Sequence, residues 1–211
     1  MKLCYVTDRK ALPGPPEAQI HVLLEKMESA ARAGVDWIQI REKELDARQL
    51  LLLSQEAKRR AGASCRIFVN DRMDVALAAG ADGVHLGERS LSVAEVKRFL
   101  KERGAAREFL VGASTHSVKA VQEAETNGAD YVYFGPVFAT PSKLAYGPPQ
   151  GLEQLAQACR AASIPVIAIG GIAVENAHEC VAAGAAGIAA IRLFQDARTG
   201  EAAVVRALGA K

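Results

Sequence analysis

The sequence predicts an α/β fold, a single (β/α)8 barrel of TIM type formed by one domain over residues 1–211, and three observations predict it. Four segments resemble one another: "AGVDWIQIR" (33–41), "AGADGVHLG" (79–87), "NGADYVYFG" (127–135) and "AGAAGIAAI" (183–191). Their glycines, Gly34, Gly80, Gly128 and Gly184, recur at spacings of 46, 48 and 56 residues, a period that calls for a repeat architecture. Between them lie four more short apolar runs, "LCYVTD" (3–8), "RIFVND" (66–71), "FLVGAST" (109–115) and "PVIAIGG" (165–171), and helical patterns fill the gaps. Strand and helix alternating eight times, with strands apolar throughout, requires a parallel sheet covered by helices. Eight such units in 211 residues fit a compact closed barrel. An open doubly wound sheet is the competing architecture, and four near-equivalent quarters favour closure.

Each quarter segment reads as a helix ending at a glycine, followed by a short buried strand. The intervening runs are short and β-branched, and most end in Gly, Asp, Ser or Thr, which are strand signals as well. Helices are expected at about 17–33, 46–62, 73–79, 92–104, 117–127, 151–162, 175–183 and 197–208. Within 46–62, Leu50, Leu53 and Ala57 recur at helical spacing and leave Lys58, Arg59 and Arg60 for solvent. Asn70-Asp71, Ser92 and Ser117 suit helix starts.

Composition narrows the function. Half of the residues are hydrophobic, yet no apolar run approaches the roughly 20 residues needed to span a bilayer. No basic start followed by an apolar block suggests a signal peptide. A net charge of +2 gives no argument for nucleic acid or an acidic partner. Cys4, Cys65, Cys159 and Cys180 are scattered without a CxxC spacing, which suits reduced thiols in a cytoplasmic protein. Whether the chain forms a homo-oligomer is left open.

In a barrel of this kind the chemistry sits at the C-terminal ends of the strands. Read there, the chain presents Thr7 and Asp8, then Gln39, Arg41 and Lys43, then Asn70 and Asp71, His85, Ser114 and His116, the loop 133–151, Gly170-Gly171, and Ile191-Arg192. The set is cationic and rich in glycine. Arg41, Lys43, Lys143 and Arg192 suit phosphate or pyrophosphate. The glycines of "AIGGI", ahead of a helix, let backbone N–H groups approach an anion. A phosphorylated small molecule is therefore the expected substrate class. Plainer roles compete: surface charge for Arg41 and Lys43, tight packing for the glycine pair, a helix cap for Asp71, and a core or site-wall position for His85.

The motifs "QIREK", "NDRMDVALAAGADGVHLG", "VGASTHS", "GADYVYFGPVFATPSK", "PVIAIGGI" and "AGAAGIAAI" resemble, in order and over nearly the whole chain, the thiamin phosphate synthase and thiazole tautomerase family. That resemblance implies a role in thiamin biosynthesis on the same barrel. The synthase joins an aminopyrimidine pyrophosphate to thiazole phosphate with magnesium. The tautomerase shifts a proton to aromatise thiazole phosphate carboxylate and needs no metal. Carried onto this sequence, the pattern assigns pyrophosphate to Arg41, Lys43, Asn70, Ser114 and Lys143, and the pyrimidine to Gln39. It assigns thiazole phosphate to Thr140, Ser142, Gly170, Gly171 and the end of the eighth strand, Ile191-Arg192.

Two positions depart from that pattern. The synthase binds magnesium through two aspartates. Asp71 supplies one, but the second position is Ser90, a poor replacement for a carboxylate. The eighth strand, usually ending in a small pair, here runs into Arg192. His116 matches the position that takes and returns a proton in the tautomerase. On the Ser90 departure the sequence leans to a tautomerase without cofactor, with the magnesium-dependent synthase close behind. A ligand-binding regulator without catalysis is the reading from another class.

Overall fold

The computed structural model describes residues 1–104, 108–140, 148–196 and 200–209. Eight strands form a closed parallel barrel in sequence order: β1 (Lys2–Val6), β2 (Trp37–Ile40), β3 (Arg66–Asn70), β4 (Gly83–Leu86), β5 (Leu110–Thr115), β6 (Tyr131–Phe134), β7 (Val166–Ile169) and β8 (Gly187–Ala190). Between and after them come α1 (Pro16–Ala33), α2 (Ala47–Ala61), α3 (Met73–Ala78), α4 (Val93–Glu102), α5 (Val118–Thr126), α6 (Gly151–Ala161), α7 (Ala177–Ala182), α8 (Arg192–Gln195) and α9 (Glu201–Ala207). All residues of β2, β4, β6 and β8 are buried, which explains why these strands read as unbroken apolar runs rather than alternating ones.

The four quarter glycines do the same job. Gly34 ends α1 at φ 105°, in left-handed backbone, with its N–H on the Ala30 and Ala31 carbonyls. Gly80, Gly128 and Gly184 also have positive φ. A side chain there would strain the reversal from helix to strand. Ser92 and Ser117 cap α4 and α5 as expected, accepting from the Glu95 and Ala120 amides. The expected cap at Asn70-Asp71 is not found. The residue preceding α3 is Arg72, which makes no side-chain cap, because the Asn70 and Asp71 side chains bond to each other.

The chain packs as two compact units. One comprises residues 3–85 and 191–211. Its core includes Tyr5, Ile38, Ile40, Ile67, Phe68 and Phe194, all at most 1% exposed. In this unit α1 carries Lys26 and Ser29 onto the buried Glu201 of α9, at 3.2 and 2.7 Å. The other comprises residues 1–2 and 86–190. It pairs β5 with β6, β6 with β7 and β7 with β8 in parallel register, over a core containing Leu100, Tyr131, Phe134 and Ile167. Among the described residues, no helix is long and apolar enough to cross a membrane.

Candidate functional site

In the unit of residues 3–85 and 191–211, β2 and β3 end in a chain of hydrogen bonds. The Gln39 amide donates to Asn70 Oδ1 at 2.8 Å, and the Asn70 amide donates to the Asp71 carboxylate at 2.7 Å. A carboxylate can only accept, so Asp71 orients Asn70, and Asn70 in turn orients Gln39. The result is that Gln39 Oε1 is buried and, among the described residues, has no hydrogen-bond partner. An orphaned acceptor in a buried place costs about 1–3 kcal/mol and is ready for an N–H donor from a ligand. Asp71 holds this position at φ 61°, a rare conformation for a residue with a side chain. Its amide is bonded to the His85 carbonyl at 2.9 Å.

Arg41 is half-buried and Lys43 exposed, on either side of Glu42, which is 3% exposed. Among the described residues no carboxylate pairs with either cation. Glu42 turns away from solvent to accept the Thr7 hydroxyl at 2.6 Å and the Arg9 amide at 3.1 Å. Burial pushes its carboxyl above the usual range, partly offset by those two hydrogen bonds. Gln195 clamps the neighbouring turn, giving to the Asp8 carbonyl and accepting from the Asp8 amide. Ile191 precedes α8, and Arg192 opens it as an exposed residue.

His85 is 1% exposed, and desolvation pushes its imidazole down to about 3 despite the opposing attraction of Asp71. It is therefore a neutral wall residue, as the core reading of the sequence has it, and a pH signature follows. An unfolded histidine binds its proton near pH 6.5 and the folded one does not. Stability is full above 6.5 and falls by about 1.4 kcal/mol per unit as the pH drops from 6.5 toward 3. Thermal unfolding of His85→Gln between pH 7 and pH 5 is expected to lose much of that slope relative to wild type; an unchanged slope refutes the assignment.

The unit of residues 1–2 and 86–190 holds the other candidates. Ser114 is half-buried at the end of β5, opposite Tyr133 of β6. The His116 Nδ1 bonds to the Gly135 carbonyl, which can only accept. The proton of a neutral His116 is thereby placed on Nδ1, and Nε2, 3.6 Å from the Glu88 carboxylate, is left as the basic nitrogen. Ser90 Oγ accepts the Gly87 amide at 2.7 Å and closes its own turn.

The loop after β6 is fastened at both ends. Val137 and Phe138 donate to the Ile169 and Gly170 carbonyls, while Gln150 and Gly151 donate to the Pro136 and Val137 carbonyls. A Cβ on Gly170 would lie 2.5 Å from Pro136 Cβ, and one on Gly171 would lie 2.7 Å from the Ala139 carbonyl oxygen. The glycine pair thus seats this loop, which is the tight-packing reading of the sequence; an anion role is compatible with it. Thr140 is half-buried on the described stem; Ser142 and Lys143 lie outside the described residues.

Sequence reading missed Thr7, Glu42 and Gln195 as a linked group, and also Asn176. Asn176 accepts the Ala173 amide and donates to the Gly171 carbonyl, holding the turn after β7. The available signals were a glutamate between two cations at the end of a buried strand, and an asparagine five residues after a glycine pair.

The family model described as thiamine monophosphate synthase matches residues 3–194. A thiamine-phosphate synthase of Methanoculleus marisnigri is 47% identical over 165 residues, which is 77% of this chain and 75% of that protein. One of Roseiflexus castenholzii is 41% identical over 201 residues, 94% of this chain and 82% of that protein. The solved structure of thiamine phosphate pyrophosphorylase from Pyrococcus furiosus is 32% identical with a TM-score of 0.83, over 99% of this chain and 95% of that one. With a family match across most of its length and relatives this similar, the chain belongs to the thiamine monophosphate synthase family.

Proposed function

We propose that the protein is a thiamine-phosphate synthase, joining an aminopyrimidine pyrophosphate to thiazole phosphate with release of pyrophosphate. The observation that carries this reading is the orphaned Gln39 Oε1. An aminopyrimidine brings an N–H donor to such an acceptor, whereas a tautomerase, acting on thiazole phosphate alone, has no pyrimidine for it. The relatives named above, all described as synthases or pyrophosphorylases, support the same choice. They turn the balance away from the tautomerase to which Ser90 leans the sequence.

The residues divide by role. Gln39, held by Asn70, orients the pyrimidine. Arg41 and Lys43, having no carboxylate partner among the described residues, receive the pyrophosphate, and Ser114 and Lys143 are assigned to it by the family pattern. Thr140, Ser142 and the Gly170-Gly171 turn are assigned to thiazole phosphate, and the family pattern assigns Ile191-Arg192 to it as well. As the bond between the rings forms, the carbon–oxygen bond to pyrophosphate breaks, and the cations hold the charge that leaves.

The donors present fit magnesium. Magnesium is commonly bound through one or two carboxylates, with substrate phosphates and water completing the octahedron, so Asp71 alone suffices beside a pyrophosphate. Bound there, the metal would supply further neutralisation of the leaving group. The Ser90 substitution therefore does not exclude the synthase.

The tautomerase is the second reading, favoured by His116, whose Nδ1 is held by the Gly135 carbonyl so that Nε2 is the nitrogen available to exchange a proton. The deciding experiment supplies both phosphorylated heterocycles and magnesium and follows pyrophosphate. Steady release, abolished by EDTA and restored by excess magnesium, is expected. Conversion of thiazole phosphate carboxylate without any pyrophosphate release would establish the tautomerase instead.

A further inference from the structure

Glu42 takes no part in the roles assigned above, yet it is the most deeply buried charge at the end of β2, flanked by Arg41 and Lys43. Burying a carboxylate is costly unless it is met by donors. Here the donors come from the end of β1. The Thr7 hydroxyl gives to Glu42 Oε1 at 2.6 Å, and the Arg9 amide lies 3.1 and 3.2 Å from the two carboxylate oxygens. Arg9 Nε stands 3.6 Å away.

The same Thr7 oxygen accepts the backbone amide of Arg41 at 2.9 Å. One buried hydroxyl therefore ties the Arg41 backbone to the Glu42 carboxylate. The β1 side of this knot is itself held, since Thr7 donates its amide to the Gln39 carbonyl at 2.9 Å and Gln195 clamps Asp8 on both backbone atoms.

We infer that Glu42 is a positioning residue: through Thr7 and Arg9 its buried carboxylate fixes the strand end from which Arg41 and Lys43 reach the pyrophosphate. This rests on the synthase reading for the identity of the substrate, but only on anion binding for its test. Gln39 and Arg41 alternate with Glu42 along the extended chain, while Lys43 begins the turn that follows. Among the described residues Glu42 pairs with neither cation, so it can brace the strand end without neutralising them.

The test uses Thr7→Val, Thr7→Ser and Glu42→Gln, with inorganic pyrophosphate as the probe in calorimetry and with both substrates in turnover. Valine matches threonine in shape but removes the hydroxyl from both of its partners. Losing a hydrogen bond to a charged group is expected to weaken pyrophosphate binding about tenfold. KM for the pyrimidine pyrophosphate should rise in parallel, while kcat and KM for thiazole phosphate move by less than about threefold. Thr7→Ser, which keeps the hydroxyl, should return pyrophosphate binding to near the wild-type value. Glu42→Gln, which keeps an acceptor for Thr7 but drops the charge, should lie between.

Equal weakening toward both substrates, or pyrophosphate binding unchanged in Thr7→Val, overturns the inference and leaves Glu42 a structural group. Wild-type protein that fails to bind pyrophosphate also overturns it. Wild-type protein that binds pyrophosphate but does not release it in turnover defeats only the synthase reading, and the comparison of Thr7→Val with Thr7→Ser still decides the role of Glu42.

Discussion

Asp71→Asn is expected to lower synthase turnover by about 10²- to 10³-fold and to make what remains insensitive to EDTA. Asparagine has nearly the shape of aspartate, and its carbonyl oxygen can still accept the Asn70 amide that Asp71 accepts at 2.7 Å. The hydrogen-bond chain to Gln39 therefore survives. What disappears is the one carboxylate among the residues assigned to the metal. Electrostatic stabilisation of a leaving group by a metal ion is worth several kcal/mol, and each 1.36 kcal/mol is a factor of ten in rate. The substituted enzyme should keep its affinity for the pyrimidine, since Gln39 and Arg41 are untouched. Turnover and KM against magnesium concentration measure both halves of this expectation. A variant that loses pyrimidine affinity while keeping its magnesium response would mean that Asp71 serves only to orient Asn70 and Gln39.

The asymmetry between what the sequence made legible and what it hid follows from the range of the interactions. Eight strands and their helices could be read because each is signalled locally. Strands buried on both faces are apolar end to end, and the reversal after each quarter helix needs a glycine such as Gly34, at φ 105°. Ser92 could be read as a cap because its partner Glu95 is three residues away. The short α8 and the single helical turn at Arg9–Ala11 escaped because three or four residues carry no periodicity. Glu42 escaped for another reason. Its partners are 33 and 35 residues distant, just beyond the end of a strand whose pairing becomes known only with the fold. The cationic residues stand out in a string by their chemistry, but the acid proposed to brace them reads there as one more surface charge. Counting carboxylates in a string leaves the metal question open, because on the synthase reading a phosphorylated substrate brings oxygens of its own.

Gly171→Ala should destabilise the protein by about 3 kcal/mol, while Gly80→Ala costs only about 1 kcal/mol. Both glycines sit in left-handed backbone, Gly171 at φ 68° and Gly80 at φ 65°, so both substitutions incur the same conformational strain. They differ in what a methyl group would meet. At Gly80 nothing among the described residues lies within 4 Å of an added Cβ, whereas at Gly171 the Ala139 carbonyl oxygen and Phe138 Cβ are each 2.7 Å away. Backbone cannot yield as a flexible side chain can, so the stem of the loop after β6 has to move off the turn after β7. For a chain of this size the difference between the two variants corresponds to a gap of about 4–8 °C in Tm. The displacement should also reach function, because the loop carries Thr140 and the residues assigned to thiazole phosphate. KM for thiazole phosphate should rise in Gly171→Ala and remain at the wild-type value in Gly80→Ala. Equal losses of Tm in the two variants would show that backbone conformation alone makes these positions glycine, and that the close seating of the loop on Gly171 contributes nothing.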